Sequence, residues 1–189
     1  ELQGFGFTNE DTNTDAMGDA YEVFVGPQMK GESGQFFTPR EVVKLAVDML
    51  KPNFIKREQI IDPASGSGGF LIYALRSSKV QAKKIYAGHS DGWINNLVKE
   101  YANNFIFGMD TEPLLYKVAK SYMAIVGDGK SGIFKEDSLA PPKQWNPITS
   151  ARIQLNKFDV LITNPPFGTK IKVDKAEILR QYELAHAYK

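Results

Sequence analysis

Short apolar runs alternating with helix-patterned stretches limit most strongly what this chain can fold into. Gln59-Ile60-Ile61-Asp62 is too short for a helix and runs directly into a Gly/Ser turn. Asn104 to Asp110, with Phe105, Ile106 and Phe107, has the same character, as does Phe158 to Thr163. Gly132 to Glu136 is a weaker fourth candidate. Runs that are apolar throughout, rather than alternating, mark strands buried on both faces. Between them, Phe70 to Leu75 opens a helix, and Glu112 to Val126 forms another with Leu115, Val118, Ala119, Tyr122 and Met123 on one side. This alternation predicts βαβ units: an α/β fold with a parallel sheet and helices on both faces. Such sheets bind ligands at the carboxyl ends of their strands, near the point where strand order reverses.

Upstream, Asp15 to Val25 reads as a short amphipathic helix and Gly26 to Gly34 as a polar connection. Thr38-Pro39-Arg40-Glu41 then carries three helix-start signals. Thr38 is expected to cap, Pro39 to take the first helical position, and Glu41 to close a capping box. Val42, Val43, Ala46, Val47 and Leu50 make the apolar face, and Pro52 follows the end. The expected division is an N-terminal helical and linker segment, 1–33, and a single larger domain, 34–189.

The 189 residues, 42% hydrophobic and 24% charged, suffice for one soluble domain with a core. The absence of cysteine excludes disulfides, thiolate metal sites and cysteine nucleophiles. His89 and His186, the only histidines, argue against a histidine-rich metal site and receive no role. No run approaches 18 apolar residues, so no membrane span is expected, and the polar N-terminus carries no signal pattern. The net charge of +1 lacks the basic excess of a domain that grips nucleic acid alone.

The segments that carry chemistry all fall at predicted strand ends. Asp62 to Phe70, DPASGSGGF, places Gly66, Gly68 and Gly69 just after a strand. Glycines let the backbone approach a ligand, and the following helix start aims amides at it. The dinucleotide fingerprint is incomplete, because its third glycine would be residue 71, which is Leu71. Asp62 disfavours a pyrophosphate and suits a ligand carrying an ammonium group. Asp110 could read a ribose through both hydroxyls, or cap the helix beginning at Glu112. Asp137 could accept from an adenine amino group, or be an ordinary loop carboxylate. In Gly34 to Arg40, adjacent phenylalanines before a helix are usually core; the alternative is that Phe37, Thr38 and Pro39 wall a ligand's apolar end. Gly127 to Gly132, GDGKSG, suggests a phosphate loop, but that pattern requires glycine where Ala124 stands, which leaves a flexible loop. Lys170, Lys172 and Lys175 could line a DNA cleft or simply face solvent. Finally, Asn164-Pro165-Pro166-Phe167 makes a rigid turn at a strand exit, with a carboxamide, main-chain carbonyls and an aromatic face around one point. Such a site suits a planar group held by its exocyclic nitrogen.

The ordered set GQFFTPR, DPASGSGGF, FGMDTEP, KEDSL and NPPFG resembles the N6-adenine DNA methyltransferases, and is most similar to the modification subunits of type I restriction-modification systems. The resemblance runs from about Asp15 to the end. It implies a Rossmann-like methyltransferase fold that uses S-adenosyl-L-methionine. The cofactor-binding residues would be Gln35, Phe36, Phe37, Thr38, Pro39 and Arg40, then Asp62, Ala64, Ser65, Gly66, Ser67, Gly68 and Gly69, with Asp110 on the ribose and Asp137 on the adenine. Ser138 stands where the family often carries an aromatic residue. The catalytic residues would be Asn164, Pro165, Pro166 and Phe167, acting on an adenine flipped out of the duplex. The implied partners are double-stranded DNA, a separate specificity subunit and a restriction subunit, with no metal and no membrane, in the cytoplasm. A sheet of this family normally has seven strands against the four predicted here, so a truncated catalytic domain, incomplete at its C-terminal end, is expected. The rivals are a methyltransferase for a protein glutamine or an RNA guanine, a non-catalytic cofactor-binding assembly module, and a phosphate-loop nucleotidase.

Overall fold

The computed structural model describes residues 38–127, 130–167, 173 and 175–183. The expected 1–33 segment lies outside them, as do Gln35, Phe36, Phe37, Lys170, Lys172 and His186. The strands are β1 (Ile60–Asp62), β2 (Ile106–Asp110), β3 (Ile133–Lys135) and β4 (Val160–Leu161). They form one sheet of order β3-β2-β1-β4 in which every neighbouring pair is parallel. Each strand lies inside a predicted apolar run and is shorter than it. β4 is reduced most, although the Ile162 N–H still donates to the Ile61 carbonyl at 3.0 Å.

The helices of the described residues are α1 (Arg40–Leu50), α2 (Gly69–Ile85), α3 (Asp91–Phe105), α4 (Pro113–Gly127) and the short α5 (Pro147–Arg152) and α6 (Ala176–Leu179). α3 answers to no sequence expectation. Its signals are present: Ser90 caps it by accepting from the Trp93 N–H, and Ile94, Val98, Tyr101 and Ala102 form a buried stripe. Asn95, Asn96, Asn103 and Asn104 dilute that stripe in the sequence.

Successive residues along a strand point to opposite faces. The register therefore puts Ile60, Ile106, Ile133 and Val160 on one face, and Ile61, Phe107, Met109 and Phe134 on the other. The first set belongs to a core with Val47 of α1, Leu71 and Leu75 of α2, Val98 of α3 and Met123 of α4. The second packs against Trp145, Ile153 and Phe158. Helices thus lie on both faces, but unequally: the four long helices share one face, and the segment after β3, which carries the short α5, covers the other. Right-handed crossovers stepping one way along the sheet, β1 to β2 to β3, keep their helices on one side.

The start of α1 also differs from expectation. Thr38 does not cap it and Glu41 closes no capping box; Pro39 takes the cap position, with no side-chain capping bond. The Pro39 carbonyl accepts from the Val42 and Val43 N–H groups, both at 3.0 Å. Of the predicted apolar face only Val43 and Val47 are buried, Ala46 packs partly, and Val42 and Leu50 are exposed. Lys51, in the left-handed region at φ 47°, ends the helix ahead of Pro52.

Candidate active site at the carboxyl edge of the sheet

Chain order steps from β1 through β2 to β3, then returns to place β4 on the other flank of β1. The order therefore reverses between β1 and β4, the place where open α/β sheets form their ligand crevice outside the carboxyl ends of the strands. The DPASGSGG loop leaves β1 and the NPPF turn follows β4. The Ile61–Leu161 register makes these two segments neighbours.

Asp62 ends β1 with 1% of its surface exposed. One carboxylate oxygen accepts from the Ala64 N–H at 3.1 Å. Burial lifts its pKa from 3.8 to about 7, and the Asp110 charge adds to the rise. The Thr163 hydroxyl lies close enough to favour the ionised form, yet completes no hydrogen bond of good geometry. Asp62 is thus buried within the loop, where it holds the turn in shape.

Asp110, at the end of β2, ties the loop from the neighbouring strand. One oxygen accepts from the Gly66 N–H and the other from the Glu112 N–H, each at 2.8 Å. Burial raises its pKa, and those two backbone donors oppose the rise. Asp110 therefore caps the turn into α4 from the carboxyl end of β2. The Ser65 N–H donates to the Met109 carbonyl at 2.8 Å, stitching the loop to β2 a second time.

Gly68, at φ 88°, lies in a left-handed conformation that suits glycine, and it precedes α2 with no side-chain cap. The first-turn amides of α2 are left facing the crevice without intrahelical acceptors. A Cβ on Gly68 would also stand 3.2 Å from the Ala119 Cβ. Gly108, which lies in FGMDTEP but received no role in the sequence, is as constrained: its Cβ would lie 2.5 Å from Leu71 Cδ1 and 3.1 Å from Ser65 Cβ. The requirement comes from β2 passing close beneath the loop and α2.

Asp137 follows β3 by two residues and folds into a side-chain turn, accepting from the Leu139 N–H at 3.0 Å. Two residues missed in the sequence surround it. The Trp145 indole donates to the Asp137 carbonyl at 2.8 Å, and the Tyr182 hydroxyl donates to the Leu139 carbonyl at 3.2 Å. Burial and the Asp137 charge both raise the Tyr182 pKa. Tyr182 lies 45 residues beyond Asp137 in a polar helix-patterned stretch, so spacing could not have found it.

At the β4 exit Asn164, Pro165, Pro166 and Phe167 are all exposed, Phe167 to 65%. The Asn164 side-chain amide donates to the Thr38 hydroxyl at 3.0 Å. Thr38 is thereby brought to the NPPF turn, with Pro39 and Arg40 following it into α1. Two buried hydroxyls, of Ser65 and Thr163, make no hydrogen bond among the described residues. Both lie in the segments that flank the crevice, where a polar ligand or water would complete them. No group of three or more His, Asp or Glu among the described residues could hold a metal, and no described helix is long and apolar enough to cross a membrane. His89 stacks on Trp93 at 4.2 Å in the connection after α2, at the opposite end of the sheet.

Residues 12–187 match the family model described as N-6 DNA methylase. The chain is 34% identical over 160 residues to the type I restriction enzyme HindI methylase subunit of Haemophilus influenzae, covering 82% of this chain and 30% of that protein. It is 32% identical over 165 residues to the type I restriction enzyme MjaIX methylase subunit of Methanocaldococcus jannaschii, covering 86% and 24%. Among solved structures it superposes on a modification subunit assigned to a type I restriction enzyme from Vibrio vulnificus YJ016. The TM-score is 0.62 at 25% identity, over 95% of this chain and 33% of that one. The chain thus spans less than a third of the length of the curated relatives described. It shares the Rossmann-like α/β fold of such subunits.

Proposed function

Because the chain belongs to the N-6 DNA methylase family, we propose that it carries the catalytic centre of a DNA methyltransferase acting on the N6 amino group of adenine within a restriction-modification system. The observation that carries this reading is the pairing of β1 with β4, which sets the glycine loop and the NPPF turn on the two sides of one crevice.

S-adenosyl-L-methionine would supply an electrophilic methyl on a sulfonium. The residues present fit it: the uncapped start of α2, the orphaned Ser65 hydroxyl, and Asp62, Asp110 and Asp137, which stand at or just after the carboxyl ends of β1, β2 and β3. The α2 amides suit a carboxylate, and Asp110 suits ribose hydroxyls, because each of its oxygens keeps acceptor capacity beyond one backbone donor. Asp137 would accept from the cofactor's adenine amino group, with the Tyr182 ring beside it. Asn164 Oδ1 and the Pro165 carbonyl would accept the two amino hydrogens of the target adenine, and Phe167 would stack on its ring. Adenine's amino lone pair is delocalised into the ring. Two acceptors favour a more tetrahedral nitrogen and stabilise the positive charge that develops on it during transfer. Alignment at about 3 to 3.5 Å supplies the rest, with the methyl's bond to sulfur breaking to leave a neutral thioether as its bond to nitrogen forms. The nitrogen would lose its proton after it becomes cationic, so no strong base has to act before attack.

Double-stranded DNA is the proposed substrate, with a separate specificity subunit reading the sequence and a restriction subunit as a further partner. The net charge of +1 supports this division, since a chain that reads DNA by itself carries a basic excess.

The test is labelled-methyl transfer from S-adenosyl-L-methionine to DNA by the full-length protein with its partner subunits, followed by nucleoside analysis. Label in N6-methyladenine supports the reading; label in protein or RNA alone moves the substrate to a glutamine amide or a guanine. Asn164→Ala should lower transfer by about 10²- to 10³-fold while sparing cofactor affinity. Asp110→Ala should weaken cofactor binding. Equal binding losses in both variants would undo this division of roles.

A further inference from the structure

We infer that Thr38 is a positioning residue for Asn164, tethering the carboxamide at the place where it would meet the substrate amino group. This rests on the function proposed above and deepens it.

Asn164 is exposed, so packing does not fix its side chain. The 3.0 Å hydrogen bond from its Nδ2 to Thr38 Oγ1 anchors the carboxamide by one end and leaves Oδ1 available to a substrate amino group. A hydroxyl both donates and accepts, so the contact fixes where the carboxamide sits rather than its polarity.

Thr38 suits this task for three reasons. Its hydroxyl does not cap α1, although the sequence places it to do so, and its bond crosses 126 residues of chain instead. Its backbone is restricted because proline follows it. Pro39 in turn leads into α1, which is anchored in the core through Val43 and Val47. A rigid partner tied to the core therefore holds in place an exposed amide that follows β4.

The test uses the full-length protein with its partner subunits and compares wild type, Thr38→Val and Thr38→Ser. Thr38→Val keeps the shape and removes the acceptor; Thr38→Ser keeps the acceptor. The expected result is a fall in kcat of about tenfold for Thr38→Val, as for loss of one neutral hydrogen bond. The dissociation constant of S-adenosyl-L-methionine and the melting temperature should stay near wild type, and Thr38→Ser should restore most of kcat. An unchanged kcat in Thr38→Val overturns the inference. So does a kcat loss that Thr38→Ser shares, and so does a rise in the cofactor's dissociation constant that accounts for the whole defect. If Thr38→Val fails to fold, Thr38→Ala is measured against Thr38→Ser by the same criteria. A readout independent of activity is the Asn164 side-chain NH2 signal in protein labelled with ¹⁵N-asparagine. Slow hydrogen exchange in wild type, lost in Thr38→Val, supports the tether; equal exchange in both overturns it. A wild-type enzyme that shows this tether but transfers no methyl to adenine defeats the proposed function and leaves only the Thr38–Asn164 contact standing.

Discussion

The loop after β1 and the turn after β4 face each other across one crevice, yet they are held by different means. From Asp62 to Gly69 the chain is stitched into the fold: Ala64 to Asp62, Ser65 to Met109, Gly66 to Asp110 and Gly68 to Ser65. Asp62 and Ser65 are buried there. Asn164 to Phe167 is exposed, follows a two-residue edge strand, and takes its rigidity from two prolines and the Thr38 contact. Both regions are shaped before any ligand arrives, the first by burial and backbone hydrogen bonds, the second by covalent restriction. The glycine loop should therefore be part of the fold's stability and the NPPF turn nearly independent of it.

The largest expected effect comes from Asp62, where a buried acid carries a pKa of about 7 against an ordinary 3.8. Between those values the folded state binds a proton that the unfolded state releases. Stability from this group is full below about pH 4 and is lost as pH rises through about 7. Asp62→Asn removes that dependence while keeping an oxygen for the Ala64 N–H. In urea unfolding, the variant should gain on wild type by up to about 4 kcal/mol between pH 4 and pH 8, at 1.36 kcal/mol per pKa unit. A difference that does not change with pH would mean that the Asp62 carboxyl titrates normally and that the loop end is not dry.

A smaller effect follows from close approach. Gly108→Ala would bring a methyl within 2.5 Å of Leu71 Cδ1, and Leu71 is itself fully buried. Overpacking of this kind costs about 1–3 kcal/mol, read from the same unfolding curves. A neutral result would show that α2 and the loop can move away from β2, which would weaken the contrast with the β4 exit.

The strands were legible because their residues are mostly apolar, β3 least clearly because it ends in Lys135, and the site because its segments fall at the strand ends. What the sequence could not show is which groups depend on distant partners. Thr38 carries every local sign of a capping residue, but its hydroxyl is engaged by an amide 126 positions away. Gly108 sits in an unremarkable strand, and only the course of α2 above it forbids a side chain. Tyr182 reaches Leu139 through tertiary folding alone. α3 was missed for a local reason, the asparagines among its apolar positions. The sidedness of the helices follows from strand order, which apolar runs do not specify.

The smallest expected effect on stability is at the NPPF turn, and it is the sharpest test of the comparison. Phe167 is 65% exposed, so its ring is largely in water already and little apolar surface returns to solvent when it is removed. Phe167→Ala should change the unfolding free energy by no more than about 0.5 kcal/mol, as at other surface sites. Stacking of an aromatic side chain on a base is worth about 1–3 kcal/mol, so the same variant should weaken binding of target DNA about 5- to 150-fold. The loop end should show the reverse pattern, with Gly108→Ala losing stability before it loses function. A Phe167→Ala protein that unfolds as readily as Gly108→Ala would place the ring in the core's service, and the two sides of the crevice would then be held by the same means.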